Sequence, residues 1–310
     1  MSLSYLTGGH AVDLERDTEG TPRAPSQPLP LAVVADRITE ISSLPDVALR
    51  VMEIASDPES GLHMLKRVVE ADVSLCARVL RCVNSATFGL RREIADVGQA
   101  VSYLGFNQIR DLAITATVCE LFKKAPHVGS YDRGGLWRHL VAVGVVARMI
   151  AIRRKVAGFE SAFLCGLLHD MGIILFDQSA HAAFRAVIRR LHANATLADV
   201  EQSVVGWDHM QLGHEVGSRW KLPRSVLEAI AHHHDPQRYA GPHQELVHSV
   251  SVANVLCSIH GISSVGLNLV GLAGESLVAL DLDRSDLKIL AGDLDAELNR
   301  HQHLFDIQGN

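Results

Sequence analysis

Aromatic residues are scarce in this 310-residue chain, at 5% of the total. Runs that alternate apolar with polar residues between hairpin turns are almost absent as well, and together these two absences argue against a sheet protein. Cysteine is sparse: Cys76, Cys82, Cys119, Cys165 and Cys257 stand singly among apolar neighbours, with no CxxC pair and no secreted-type spacing. They read as small core residues in a reducing compartment. Basic residues are outnumbered, 29 Lys and Arg against 35 Asp and Glu for a net charge of -6, which argues against general affinity for a nucleic-acid backbone. No basic N-terminal segment runs into an apolar one, so no signal peptide is expected. The longest apolar tracts, such as Val141 to Ile152 with Arg148 inside it, are too short to cross a bilayer. A cytoplasmic location without a membrane partner is the expectation.

At 47% apolar the chain can bury a sizeable core, and its repeating signal is helical. Ala32, Ala35, Ile38 and Ile41 suit one helix face; Leu49, Met52 and Ile54 suit a second, and Leu65, Val68 and Val69 a third. Punctuation falls between them: Ser43 to Asp46 starts one helix, Ser56 to Gly61 closes it, and Asn84-Ser85 ends another. The chain is therefore expected to be all-α, a multi-helix bundle. Residues 1–28 mix Gly, Thr, Pro, Ser and charges without periodicity and read as a tail. The ordered part begins near Leu29, with an N-terminal helical lobe over 29–130. The Gly- and Pro-bearing stretch Lys123 to Gly135 forms the junction to a second, histidine-bearing lobe over 131–310. Within that lobe, Asp281 to Asp295 alternates Leu with charges and predicts an amphipathic helix that either packs back or serves a partner. Arg91-Arg92 and Arg153-Arg154-Lys155 read as solvated surface.

Seventeen histidines stand out, and their positions matter more than their number. His139 shares a helical face with Val143, Val146 and Ile150, so it points inward. His169 and Asp170 follow the apolar run Phe163 to Leu168, where two polar groups are costly to bury without a partner. His209 and His214 precede Trp220. His232, His233 and His234 close the helix carrying Val226, Leu227 and Ile230, with His234 on the side of Ile230, and Asn254 is a polar residue on the core-facing stripe of Val247 and Val250. One at a time, each is a hydrogen-bonded core residue or a helix-end charge. As a set, imidazoles turned inward from four helices beside one carboxylate suit Fe, Mn or Zn.

The order His139, His169-Asp170, later histidines resembles the HD superfamily of metal-dependent phosphohydrolases. The preceding lobe resembles its HDOD branch, at Leu44 to Arg50, Glu70-Ala71-Asp72, Arg78 to Gly89 and Ala100 to Gly105, and the likeness continues through His209 to Gly213, Trp220 to Pro223 and Ala229 to His234. It spans about Leu29 to His260. The resemblance implies an all-helical fold and a bacterial signalling role exercised through protein partners. By the same resemblance, compared with the catalytic HD-GYP branch, His139, His169, Asp170, His209, His233 and His234 match metal positions. Three features depart from the catalytic pattern: Asn254 stands where the last acidic ligand is expected, Ile173 replaces a lysine common after the aspartate, and Asp235 to Tyr239 lacks a Gly-Tyr-Pro element.

Asp170 is the one carboxylate this inward set offers, so one ion is easier to accommodate than two. Asn254 could coordinate through its carbonyl oxygen but cannot act as a base. Two functions follow. The favoured one is a regulatory module that contacts a signalling protein, with a structural or residual metal site; the alternative is a hydrolase of a phosphomonoester or cyclic nucleotide. A homo-oligomer is compatible with either. Asn84, Ser85 and the Leu104-Gly105 pair are expected to serve helix ends rather than a ligand.

Overall fold

The computed structural model describes residues 30–41, 46–56, 60–85, 88, 90, 92–122, 127–192, 195–266, 271 and 274–308. The tail over 1–28, the helix start at Ser43 to Pro45, the Asp57 to Glu59 break, Ala86, Thr87, Gly89, Arg91 and Lys123 to Pro126 lie outside these residues. Among the described residues there are helices and no strand; one isolated bridge joins Val128 to Tyr131 beside the lobe junction. The first six helices are α1 (Leu31–Ile41), α2 (Asp46–Ser56), α3 (Leu62–Ala71), α4 (Val73–Val83), α5 (Val97–Leu104) and α6 (Phe106–Val118). The next six are α7 (Arg133–Arg153), α8 (Ala162–Leu168), α9 (Met171–Ser179), α10 (His181–Arg190), α11 (Leu197–Val205) and α12 (His209–Arg219). The chain continues through α13 (Arg224–His232), α14 (Gln244–Ile259), α15 (Gly274–Ala279), α16 (Arg284–Arg300) and α17 (Gln302–Phe305).

Local chemistry sets many of the starts. Asp72, Asp96, Asp132 and Thr196 each stand at an N-cap and accept the backbone N–H three residues on, which satisfies one of the donors a helix start leaves free. Asp208 does the same for α12, and Gln211 reaches back to complete a capping box. Asn84 caps α4 and does more. Its amide donates to Ile94 O at 2.9 Å and accepts from Ile94 N at 2.8 Å, pinning the following loop.

The C-terminal half of the chain is organised by α7, which is buried nearly all round and packs on α8 and α14. Its contact with α8 is backbone to backbone: a Cβ on Gly144 would meet Phe163 O at 2.8 Å, and one on Gly166 would meet Gly144 Cα at 2.7 Å. That closeness places His139, five residues before Gly144, near His169, three after Gly166, with ring centroids 5.3 Å apart. By length and composition, Arg133–Arg153 and Phe159–Ser179 could cross a membrane, which the tract lengths read from sequence had understated. Inside the fold, however, 72% and 89% of their apolar windows are buried, as in core helices.

The C-terminal helix packs back. Leu290 and Leu294 of α16 are buried, and α16 lies on α7. Arg153 pairs with Asp293 at 2.9 Å and Arg154 with Asp281 at 2.6 Å, ion pairs on the solvated surface where α7 meets the C-terminal segment. Helices distant in sequence also meet: α1 lies on α9 and α12, and α17 lies on α6 and α7. Between them sits a buried charge group in which Asp111 of α6 accepts from Arg110 and from Arg148 of α7. Arg148 also donates to His301 Nε2 at 3.0 Å.

Candidate metal centre

Six of the expected residues come together. His139 lies in the second turn of α7, His169 and Asp170 form the corner between α8 and α9, His209 opens α12, His233 caps the end of α13, and His234 follows it. A second close approach builds the corner. A Cβ on Gly172 would lie 1.8 Å from His209 O, and one on Gly213 would lie 3.2 Å from Gly172 N and 2.9 Å from Ile230 Cγ2. Only hydrogen at these positions lets the starts of α9 and α12 touch and bring Asp170 against His209.

Asp170 is central. Its Oδ2 lies 3.3 Å from His169 Nε2 and 3.7 Å from His139 Nε2; its Oδ1 lies 3.1 Å from His233 Nε2 and 3.3 Å from His209 Nε2. Two half-sites therefore share one carboxylate. One gathers Asp170, His209, His233 and His234, the other His139, His169 and Asp170, and within each the ligand atoms lie within 4.8 Å of one another. Five of the six residues are at most 2% exposed, whereas His234 is exposed. The expectation that His234 continues the apolar side of its helix is corrected: α13 ends at His232, and the turn that follows sends His233 inward and His234 to the open side. Asn254 is buried on α14, and its Oδ1 accepts from the Ser258 hydroxyl at 3.4 Å.

The ring tautomers follow from the outer partners. His139 Nδ1 faces Ile262 O at 2.7 Å, His169 Nδ1 faces Gly166 O at 2.7 Å, and His233 Nδ1 faces Ala229 O and Ile230 O at 3.2 and 3.1 Å. His209 Nδ1 faces Glu201 Oε2 at 2.7 Å. A carbonyl or carboxylate can only accept, so each Nδ1 carries a proton and each Nε2 is the nitrogen turned inward, a lone-pair donor wherever the ring is neutral. The four Nε2 atoms and Asp170 Oδ1 are buried with no hydrogen-bond partner among the described residues. Converging unpaired acceptors are costly in a dry interior, and a cation relieves that cost. The residues fit a transition ion of imidazole and carboxylate preference.

Electrostatics without an ion point the same way. Burial drives His139 down to about 4, helped by the neighbouring His169, and burial likewise drives His233 to about 4. Burial alone would raise Asp170, but His169, His209 and His233 outweigh it and hold the carboxylate well below its usual range. Burial would lower His209, yet Glu201 on one side and Asp170 on the other hold it well above the imidazole range. Burial raises the Glu201 carboxyl although His209 opposes it, so the His209–Glu201 pair holds a proton that an ion bound at His209 would release.

Glu201 escaped the reading of the sequence. It is fully buried on α11, and its Oε2 accepts from both His209 N at 2.9 Å and His209 Nδ1. The signal was available: Leu197, Val200, Glu201 and Val205 make one apolar stripe of α11, with a carboxylate at an inward position.

The sequence profile of the HDOD domain matches residues 41–236. The chain belongs to the HDOD family. An uncharacterized protein of Treponema pallidum (strain Nichols) is 27% identical over 232 residues; these cover 72% of the HDOD chain described here and 43% of that longer protein. An HDOD domain protein of unknown function from Geobacter sulfurreducens superposes with TM-score 0.70 at 23% identity, covering 89% of this chain and 96% of that one. A candidate signal transduction protein from Marinobacter aquaeolei VT8 gives TM-score 0.72 at 22% identity, over 90% and 64% of the two chains. A candidate phosphohydrolase from Shewanella amazonensis SB2B gives 0.67 at 20% identity, over 89% and 98%. At these identities the structures share the all-helical fold with this HDOD chain.

Proposed function

We propose that this HDOD chain is a bacterial signal-transduction module that acts by contacting a protein partner and that holds one transition-metal ion, Fe, Mn or Zn, for structure rather than hydrolysis. The observation that carries the reading is the imbalance of the centre: four buried imidazoles surround a single central carboxylate, and the position matched to the last acidic ligand is the neutral Asn254. His139, His169, Asp170, His209, His233 and His234 would be the ligands. A bound ion would supply Lewis acidity and an activated water. Hydrolysis also needs a proton acceptor and donor near the reacting oxygen. Asp170, with all four Nε2 atoms around it, is committed to the centre, and each Nδ1 is committed to an outer acceptor. Contact with a protein is supported by Leu62, Met64, Val73 and Tyr103, apolar side chains exposed on the mutually packed α3, α4 and α5.

One observation favours hydrolysis of a phosphomonoester or cyclic nucleotide instead. His234 is exposed, so the half-site it belongs to opens toward solvent and could admit a ligand. Elemental analysis of protein purified without added metal, with assays on a generic phosphodiester and phosphomonoester, separates the two. The regulatory reading expects bound metal and no turnover. Turnover abolished by Asp170→Ala, with helical circular dichroism retained, would replace it by the hydrolase.

A further inference from the structure

We infer that Glu201 is the second negative charge of the metal centre and the positioning residue for His209, so that the half-site of His209, His233, His234 and Asp170 takes its ion first. This rests on the metal reading above. Three imidazoles in the cluster, His139, His169 and His233, are oriented by backbone carbonyls. His209 alone leans on a carboxylate, through Glu201 Oε2 at 2.7 Å. A carboxylate behind an imidazole makes its inner nitrogen a stronger donor and fixes the ring, so His209 is the strongest neutral ligand of the group.

Helix capping does not account for Glu201. Its Oε2 does accept His209 N–H at the first turn of α12, but Asp208 already caps that helix with Gln211, and Gln202 braces both of them at 2.9 and 2.8 Å. A neutral amide would accept the same N–H. Glu201 Oε1, moreover, is buried with no hydrogen-bond partner among the described residues, an arrangement that costs free energy unless a positive charge lies near. With Asp170, Glu201 brings the negative charge to two, which neutralises one divalent ion and no more. The shortage read from the sequence, where Asp170 stood alone, is removed for one ion and kept for a second. The His139–His169 half has no such backing carboxylate among the described residues.

The test is titration of chelator-treated full-length protein with Mn2+ and Zn2+ by calorimetry, together with the visible spectrum of Co2+-loaded protein. Wild type should take one ion. Glu201→Gln keeps an acceptor for both N–H groups and removes the charge, so it should weaken binding by about 10- to 100-fold and shift the Co2+ bands, while the melting curve of the ion-free protein is retained. Wild-type affinity in Glu201→Gln overturns the inference and leaves the metal reading standing; a wild type that takes no ion overturns the metal reading itself. Should Glu201→Gln fail to fold, the half-sites decide: His139→Ala should keep the first ion and His209→Ala should lose it. Equal losses overturn the order of filling.

Discussion

Replacing Gly172 by Ala adds one methyl group at the joint between α9 and α12. Its Cβ would sit 1.8 Å from His209 O and 2.7 Å from His209 C, whereas ordinary contacts begin near 3.4 Å. The obstacle is backbone, so no side chain can swing away. The two helix starts must part by roughly 1.5 Å, and they carry Asp170 and His209. Overpacking of a rigid core costs about 1–3 kcal/mol, and the helix propensity of Ala returns about 1 kcal/mol of that, so a backbone clash this deep should leave a net loss of about 2 kcal/mol. Urea denaturation of chelated protein reads the stability, and calorimetry reads metal affinity, which should fall at least tenfold as the ligands separate. Gly292→Ala is the control. That glycine lies exposed on α16 with nothing within 4 Å of an added Cβ, so the same chemical change should stabilise by up to about 1 kcal/mol. If Gly172→Ala matches wild type in both stability and affinity, close backbone approach is not what builds the centre.

Chelation should lower the melting temperature: an ion present at a hundred times its dissociation constant contributes about 2.7 kcal/mol by mass action, so calorimetric scans with and without a strong chelator should differ by several degrees. His303 is buried, and burial, aided by His301, pushes its pKa from 6.5 to about 4. Because the unfolded ring is protonated first, stability should fall as pH drops from about 6.5 and level off below about 4, by up to about 3 kcal/mol, and His303→Gln should flatten that dependence in urea melts. Asp111→Asn leaves the buried Arg110 and the half-buried Arg148 without their carboxylate and should cost about 3 kcal/mol, part of which Arg148→Met should restore.

The helices and the inward imidazoles were legible because both are local signals: apolar spacing sets which way His139 points, and the apolar run before His169 and Asp170 makes their polarity conspicuous. What brings them together was not. Gly144, Gly166 and Gly172 act across pairs of helices, and no spacing along one helix reports what faces it. Glu201 was missed because one of two acids on a nine-residue helix, two residues after Asp199, reads as surface until its stripe is compared with its partner His209. His233 and His234 could not be told apart, since the side each takes depends on where α13 stops, and three consecutive histidines carry no stop signal. Asp281 to Asp295 left two outcomes open; Leu290 and Leu294, buried where α16 lies on α7, settle it.

A crystal structure with anomalous data at a metal edge tests the centre most directly. One peak within about 2.0–2.2 Å of Asp170 Oδ1 and of the Nε2 atoms of His209 and His233 is the predicted result. No peak in protein grown with metal, or a peak on a group of surface residues instead, contradicts it.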